Sequence, residues 1–349
     1  MAAYTTIDDS SAHFQVATYT GNGGTISVTN DGNSDLQPDF VWIHNRNTYQ
    51  PQIYDTSRGV HKKIMSSVAN AESTDTTALT AFNSDGFSTG ANIGVNQNSV
   101  GHVAWQWKAN GGTTSTNTDG TINSSVQVNS DAGFSIMTYT GTGAELPGIG
   151  HGLDAAADIY LQKNRSNSAS WAVLGKTVSA PSGGNRYLLL NETNAEGGAS
   201  QGPGNATTIQ TWSDATGNAS GDEYVVYAFT SKQGFSSINY YTGTGNANGP
   251  FVYTGFKPAW VMIKGLTVAD DWYIFDNKRL GYNPAAFRLR ANTNAAETTG
   301  TDNTIDFLSN GFKLRFSGGS MNGSGSTYIY MAFAENPFVT STGVPTTAR

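Results

Sequence analysis

Short stretches of alternating apolar and polar residues, each closed by a cluster of Gly, Asn, Asp or Pro, run along the whole chain. No stretch keeps apolar residues at i, i+3, i+4 and i+7 for three turns. Alternation with period two puts successive side chains on opposite faces of a strand, so the pattern predicts an all-β fold. One unit of the pattern recurs. Phe14-Gln15-Val16-Ala17-Thr18 runs into Tyr19-Thr20-Gly21-Asn22-Gly23, and Phe134-Ser135-Ile136-Met137-Thr138 into Tyr139-Thr140-Gly141-Thr142-Gly143. The third copy is Phe235-Ser236-Ser237-Ile238-Asn239-Tyr240 running into Tyr241-Thr242-Gly243-Thr244-Gly245. Each predicts a strand entering a glycine turn, and their recurrence at 120 and then 102 residues makes the chain a threefold tandem repeat.

Further elements recur in register with these. Phe40-Val41-Trp42-Ile43, Ile159-Tyr160-Leu161 and Trp260-Val261-Met262-Ile263 are short and apolar on both pleat faces, as expected of a strand covered on both sides; Pro38 and Pro258 precede two of them. Each repeat closes on an apolar run with one alanine among large residues: Ala104 between Val103 and Trp105, Ala228 between Tyr227 and Phe229, Ala332 between Met331 and Phe333. Such runs suit central strands packed between two layers. The outer repeats also share Asp55-Thr56-Ser57-Arg58 with Asp276-Asn277-Lys278-Arg279, and a hairpin signal, Asp85-Gly86-Phe87 with Asn310-Gly311-Phe312. The middle repeat lacks both. The expected organisation is a polar arm over 1–12, a β-sandwich over 13–109, a Gly/Ser/Thr linker over 110–119, a divergent sandwich over 120–232, a third sandwich over 233–338 and a polar tail over 339–349.

Composition narrows the function classes. The chain has 349 residues, a net charge of −7 and no run of basic residues, which argues against nucleic-acid binding. It has no apolar stretch near the ~20 residues of a membrane helix, and its first residues lack a basic and apolar leader, so a soluble chain made in the cytosol is expected, with no membrane insertion. Zero cysteines exclude disulfides and thiolate metal sites, leaving cores and self-association to supply stability.

Candidate chemistry is sparse. Gly86-Phe87-Ser88-Thr89-Gly90 matches a nucleophile elbow in letters only, because that motif needs a strand turning into a helix and none is predicted after Gly90. The Tyr-Thr-Gly-x-Gly turns lack the following helix that a phosphate loop requires, so a folding role is expected for them. His13, His44, His61, His102 and His151 show no metal-ligand spacing. Asp55, Asp276 and the pair Asp270-Asp271 are oxygen donors of the kind calcium uses, but no specific motif calls for it; Asp55 and Asp276 are expected to pair with Arg58 and Arg279 or to cap a turn. No cofactor is expected. Asp222-Glu223 and Asp270-Asp271 are adjacent in sequence and would point to opposite faces of a strand, so neither makes a glycosidase pair, and the chain is expected not to be an enzyme. Trp272, beside Asp270 and Asp271 in a polar setting, is the candidate carbohydrate platform if exposed.

In the residues 4–23 (YTTIDDSSAHFQVATYTGNG), 251–264 (FVYTGFKPAWVMIK) and 308–338 (LSNGFKLRFSGG to YIYMAFAENPF) the chain resembles tandem laminin-G/concanavalin-like β-sandwich modules of structural and tail-fibre proteins of marine tailed phages. The resemblance spans 4–338. It implies three jelly-roll or concanavalin-like sandwiches in a virion protein that is made in the host bacterial cytoplasm and displayed on the particle surface. The expected role is a tail-fibre or receptor-binding component that touches other virion proteins and host surface glycans. A capsid decoration protein is the alternative, and a polysaccharide-degrading enzyme comes third. Self-association is expected, with a trimer favoured.

Overall fold

The computed structural model describes residues 4–300 and 302–346. The first repeat supplies β1 (Phe14–Thr20), β2 (Ile26–Val28), β3 (Phe40–Asn45), β4 (Gln52–Asp55), β5 (Lys62–Met65), β6 (Ser73–Thr74), β7 (Leu79–Phe82), β8 (Phe87–Thr89) and β9 (Gly101–Trp107). The second supplies β10 (Ser115–Asn117), β11 (Ser124–Asn129), β12 (Phe134–Thr140), β13 (Gly148–Gly150), β14 (Ile159–Asn164), β15 (Ala172–Leu174), β16 (Arg186–Leu189), β17 (Gly197–Gly198), β18 (Thr208–Gln210) and β19 (Glu223–Phe229). The third supplies β20 (Ser236–Thr242), β21 (Phe251–Tyr253), β22 (Phe256–Gly265), β23 (Trp272–Asp276), β24 (Leu289–Arg290), β25 (Ile305–Leu308), β26 (Gly311–Leu314) and β27 (Thr327–Pro337). Among the described residues the α-helices, of four residues each, are single turns, and Ser10–Ala12 forms one 3-10 turn.

Each repeat is a large antiparallel sheet with a small one on its outer face. The large sheets run β1-β9-β3-β4-β5-β6, β10-β11-β12-β19-β14-β15-β16-β17 and β20-β27-β22-β23-β24; the small ones run β2-β8-β7, β13-β18 and β21-β26-β25. The opening strand, the closing strand and the apolar strand after the proline position lie side by side in the same order three times. The all-β sandwich architecture expected from alternation is therefore present.

Both faces of these strands are apolar for two different reasons. Val41, Ile43 and Ala104 pack with Val28, Leu79 and Phe87 of the small sheet. Phe40, Trp42, Val103, Trp105 and Trp107 point the other way and join a cluster that also contains Phe134, Ile159, Tyr227 and Phe229 of the second repeat and Trp260, Met262, Met331 and Phe333 of the third. Ladder register identifies equivalent positions: Phe40 opposes Trp107, Ile159 opposes Phe229, and Trp260 opposes Phe333. The rings of Trp107, Phe229 and Phe333 close a triangle, with centroids 6.2, 5.8 and 5.4 Å apart. Three equivalent aromatics in mutual contact define a pseudo-threefold axis, and edge-to-face pairs of this kind add about 0.5–1.5 kcal/mol each beyond their burial.

The three sandwiches thus form a ring around one shared core, which adds to the separate clusters that repeats one and two keep between their own sheets. The segment 110–119, expected to be a linker, is pinned accordingly. The buried carboxylate of Asp39 accepts from the N–H groups of Ala109 (2.7 Å), Gly111 (2.9 Å) and Gly112 (2.8 Å), and β10 within that segment adds a strand to the second sheet. At the next junction Asp158, in the equivalent place before β14, accepts from Ser231 N–H (2.6 Å). The third repeat carries Ala259 at this position.

The arm also has a defined place. Its residues 1–3 lie outside the described residues. Tyr4 donates to the Gly255 carbonyl (2.6 Å), Ile7 enters the shared core, and Asp8 accepts from Ser341 N–H (2.6 Å) in the tail. The residues preceding repeat one therefore strap repeat three, across the one seam that no covalent connection between consecutive repeats bridges.

Candidate functional site

Trp272 opens β23 and is 1% exposed, so it offers no platform to a sugar. Its indole N–H crosses to the second repeat and donates to the Leu189 carbonyl (3.0 Å). Asp271 pairs with Arg290 (2.7 Å) and accepts from Asn292 (2.8 Å); Asp270 accepts from the Tyr273 hydroxyl (2.7 Å). The carbohydrate site expected at Asp270, Asp271 and Trp272 is thus a structural joint. Polar sequence neighbours misled because they fix the strand entrance while the ring leaves across the seam. Trp171 does the same one repeat earlier, donating to the Met65 carbonyl (2.9 Å). Both tryptophans follow a buried lysine by eight residues, Lys163 and Lys264, a spacing that was available in the sequence.

The Asp-x-x-Arg elements belong to the same seams. Arg58 bonds Asp55 (2.5 Å) and Glu72 (3.0 Å), and its side chain is wholly buried. Tyr227 of the second repeat donates its hydroxyl to Asp55 (2.6 Å), while Arg165 bonds Glu72 (3.0 Å). The seam between repeats one and three repeats the plan: Arg279 bonds Asp276 (2.6 Å) and Glu297 (2.9 Å), Trp105 donates to Asp276 (3.1 Å), and Arg46 bonds Glu297 (2.6 Å). Burial works against the Arg58 charge, but Asp55, Tyr227 and Glu72 hold its proton more tightly than usual. At the third seam the register equivalents of Asp55, Arg58, Tyr227 and Arg165 are Gly175, Val178, Met331 and Leu266. Four of the five members are missing there; the glutamate survives as Glu196, whose N–H reaches the Leu266 carbonyl as that of Glu72 reaches Arg165, and it lies 3.8 Å from Arg186 instead. Losing the Asp and the Arg together avoids leaving half of a buried ion pair, which is costlier than none.

Register also aligns His44, Lys163 and Lys264, three buried groups that face the neighbouring repeat. Lys163 donates to the Ala69 (3.1 Å), Asn164 (2.8 Å) and Ala169 (3.0 Å) carbonyls, and Lys264 to Thr193 (3.0 Å) and Asp270 (2.8 Å). Burial pushes both lysines down to about 8. His44 lies 2.7 Å from the Asn45 carbonyl and 3.2 Å from that of Arg290, and burial depresses it to about 4. Each group ties a strand end to the adjacent repeat in the same rotational sense, one to three, two to one, three to two.

The Tyr-Thr-Gly-x-Gly turns clasp a buried asparagine that sits on a single-turn helix in repeats one and three and in a turn in repeat two. Asn22, Thr142 and Thr244 donate backbone N–H to the side chains of Asn96 (2.7 Å), Asn218 (2.8 Å) and Asn322 (2.8 Å). Tyr19 donates its hydroxyl to the Val95 carbonyl (2.6 Å) and Tyr241 to that of Met321 (2.7 Å), and Tyr139 bonds the Gly217 carbonyl in the same way. The two glycines serve different ends. A Cβ on Gly21 would lie 2.2 Å from the Gln97 carbonyl oxygen, and Gly23 holds φ +68°. Folding is the role visible in this geometry.

Ser88 lies within β8, 2.9 Å from Ser27 Oγ and 3.0 Å from Asn83 Nδ2, with the Gly86 turn before it and no histidine at its hydroxyl. Asp222 accepts from Asn164 (2.7 Å), and Glu223 sits 3.4 Å from Arg165. Among the described residues no three His, Asp or Glu side chains gather as a metal site. No helix of the described residues is long and apolar enough to cross a membrane.

Exposed aromatic rings that the sequence reading did not single out cluster in the third repeat. Every exposed aromatic among the large apolar residues is there: Tyr240, Phe251, Tyr253 (58% exposed) and Tyr282 (69%). Phe251 and Tyr253 project from the same face of β21, two residues apart, on the outer sheet. The Phe-Val-Tyr alternation at 251–253 was the available signal.

A family model described as a domain of unknown function (DUF7483) matches residues 9–337 as a single unit. No curated protein and no solved structure matches the chain.

Proposed function

The chain belongs to the DUF7483 family, whose description assigns no function; from its surface and from the resemblance seen in its sequence we propose that it is a structural protein of a phage virion, displayed on the particle and serving host adhesion through its third repeat. The observation that carries the adhesive part is the confinement of exposed aromatic rings to that repeat. Tyr and Phe rings that stay in water form no part of the core, and they supply large, rigid contact area at recognition surfaces. The virion setting rests on the resemblance to laminin-G/concanavalin-like modules of tailed-phage structural and tail-fibre proteins. Charged groups drawn into seam bonds support a structural rather than a catalytic chain. The ligand in this reading is a host surface glycan, with other virion proteins as neighbours.

A capsid decoration protein is the second reading, and the internal threefold arrangement favours it, since such a body matches a local threefold position on a shell. Immunogold labelling of intact particles separates the two. Gold at the tail, with adsorption lost in the double variant Tyr253→Ser/Tyr282→Ser, supports adhesion; gold over the head, with adsorption intact, supports decoration. Self-association as a trimer belongs to the proposal too, although the threefold core is complete within one chain. A sedimentation mass of one chain at high concentration removes it.

A further inference from the structure

We propose that the open edge of β1 is a docking site for an extended strand of a partner chain, held antiparallel to Phe14, Val16 and Thr18 with an amide side chain turned toward Asn277. The template is inside the molecule. On the equivalent strand β12, Phe134, Ile136 and Thr138 pair with Asn129, Gln127 and Ser125 of β11. Gln127 then crosses the seam and donates to Thr56 Oγ1 (2.9 Å) and Ser57 Oγ (2.6 Å) of repeat one.

The third repeat covers its matching edge differently. Ile238 donates its N–H to Ser231 Oγ (2.9 Å) and accepts from Thr177 Oγ1 (3.2 Å). Only the first repeat leaves its edge open among the described residues. Lys108 N–H to the His13 carbonyl and Gly21 N–H to that of Val100 show that odd-numbered residues of β1 face β9. The N–H and C=O groups of Phe14, Val16 and Thr18 therefore point away from it, and no described residue bonds them. The segment that would pair there, by analogy with β11, is the arm, and it crosses to repeat three instead.

A groove of about 220 Å³ runs along this edge, bounded by Phe14 and Val16 on one side and by Asn277, Lys278, Ala334 and Asn336 on the other. By register, Asn277 and Lys278 stand where Thr56 and Ser57 receive Gln127. Asn277 Oδ1 is buried without a hydrogen-bond donor, the same acceptor position that Gln127 satisfies at the neighbouring seam. Unpaired backbone on one wall and an orphaned acceptor on the other are what an added strand with one amide donor would satisfy. The inference does not depend on the virion reading.

The test uses the full chain and an acetylated peptide of residues 123–130, which carries the β11 sequence. Amide hydrogen exchange should find Val16 and Thr18 fast in the free chain and slowed on adding the peptide. Replacing the glutamine of the peptide by leucine should weaken binding about fivefold, the effect of one hydrogen bond. A peptide N-methylated at the residues matching Ser125, Gln127 and Asn129 should not bind, and because it leaves the protein untouched its result does not depend on the folding of any variant. The proposal is overturned if Val16 and Thr18 are already as slow as Ile136 in the free chain, if the peptide protects 134–138 instead by displacing β11, or if the N-methylated peptide binds equally well.

Discussion

Replacing Asp55 by Ala strikes one seam at its most buried point. The carboxylate accepts from Arg58 N–H (2.8 Å), Arg58 Nε (2.5 Å) and the Tyr227 hydroxyl (2.6 Å), and the side chains of Asp55 and Arg58 are both wholly buried. Its loss leaves a buried guanidinium with Glu72 as its remaining carboxylate and strands the Tyr227 hydroxyl. Breaking one side of a buried pair costs about 3–5 kcal/mol, and the stranded hydroxyl about 1 kcal/mol more. The second repeat indicates how to relieve the damage, since its seam carries Val178 and Met331 where the first has Arg58 and Tyr227. The triple variant Asp55→Ala/Arg58→Val/Tyr227→Met removes the unpaired guanidinium and hydroxyl together, leaves Arg165 paired with Glu72, and takes from the Ile53 and Lys62 carbonyls only the donor that Arg58 supplied. It should lie within about 2 kcal/mol of the parent, because apolar replacement of a buried pair is often neutral. Urea unfolding followed by tryptophan fluorescence measures both. A single variant no worse than the triple one, or a triple variant as unstable as the sum of its parts, refutes the reasoning.

The other expectations follow from the same bonds. Asn96→Ala, Asn218→Ala and Asn322→Ala should each cost about 1–3 kcal/mol by urea unfolding, since each empties the same clasp. Trp272→Phe should lower stability by about 1 kcal/mol through loss of the bond to Leu189 while leaving binding on a glycan array unchanged. Acid should weaken the fold between pH 6.5 and 4. His44 and His102 are depressed by burial to about 4, so in that window the unfolded chain binds more protons, and stability falls as pH drops, by about 1.4 kcal/mol per pH unit for each histidine. A stability that stays flat in urea titrations from pH 6.5 to 4 counts against it.

How much was legible from the sequence depends on what local pattern can encode. The Tyr-Thr-Gly-x-Gly recurrence revealed three repeats, because a turn that needs one glycine for close approach and another for positive φ tolerates little else. Alternation revealed the strands, and double-faced apolar runs showed that each was covered twice. What covered the second face was invisible: Phe40 or Trp105 reads as core whether it meets its own sandwich or two others. The Asp-x-x-Arg elements were visible as salt bridges but not as seam partners, since Tyr227 lies 172 residues from Asp55 and nothing local links them. Trp272 failed for the converse reason. Its neighbours are polar, while its ring is placed by a carbonyl 83 residues away.

The central claim is that three sandwiches share one core and so fold as one body. Differential scanning calorimetry of the full chain tests it. A single transition whose calorimetric and van't Hoff enthalpies agree is the predicted result. Three resolvable transitions, or a calorimetric enthalpy about three times the van't Hoff value, would contradict it.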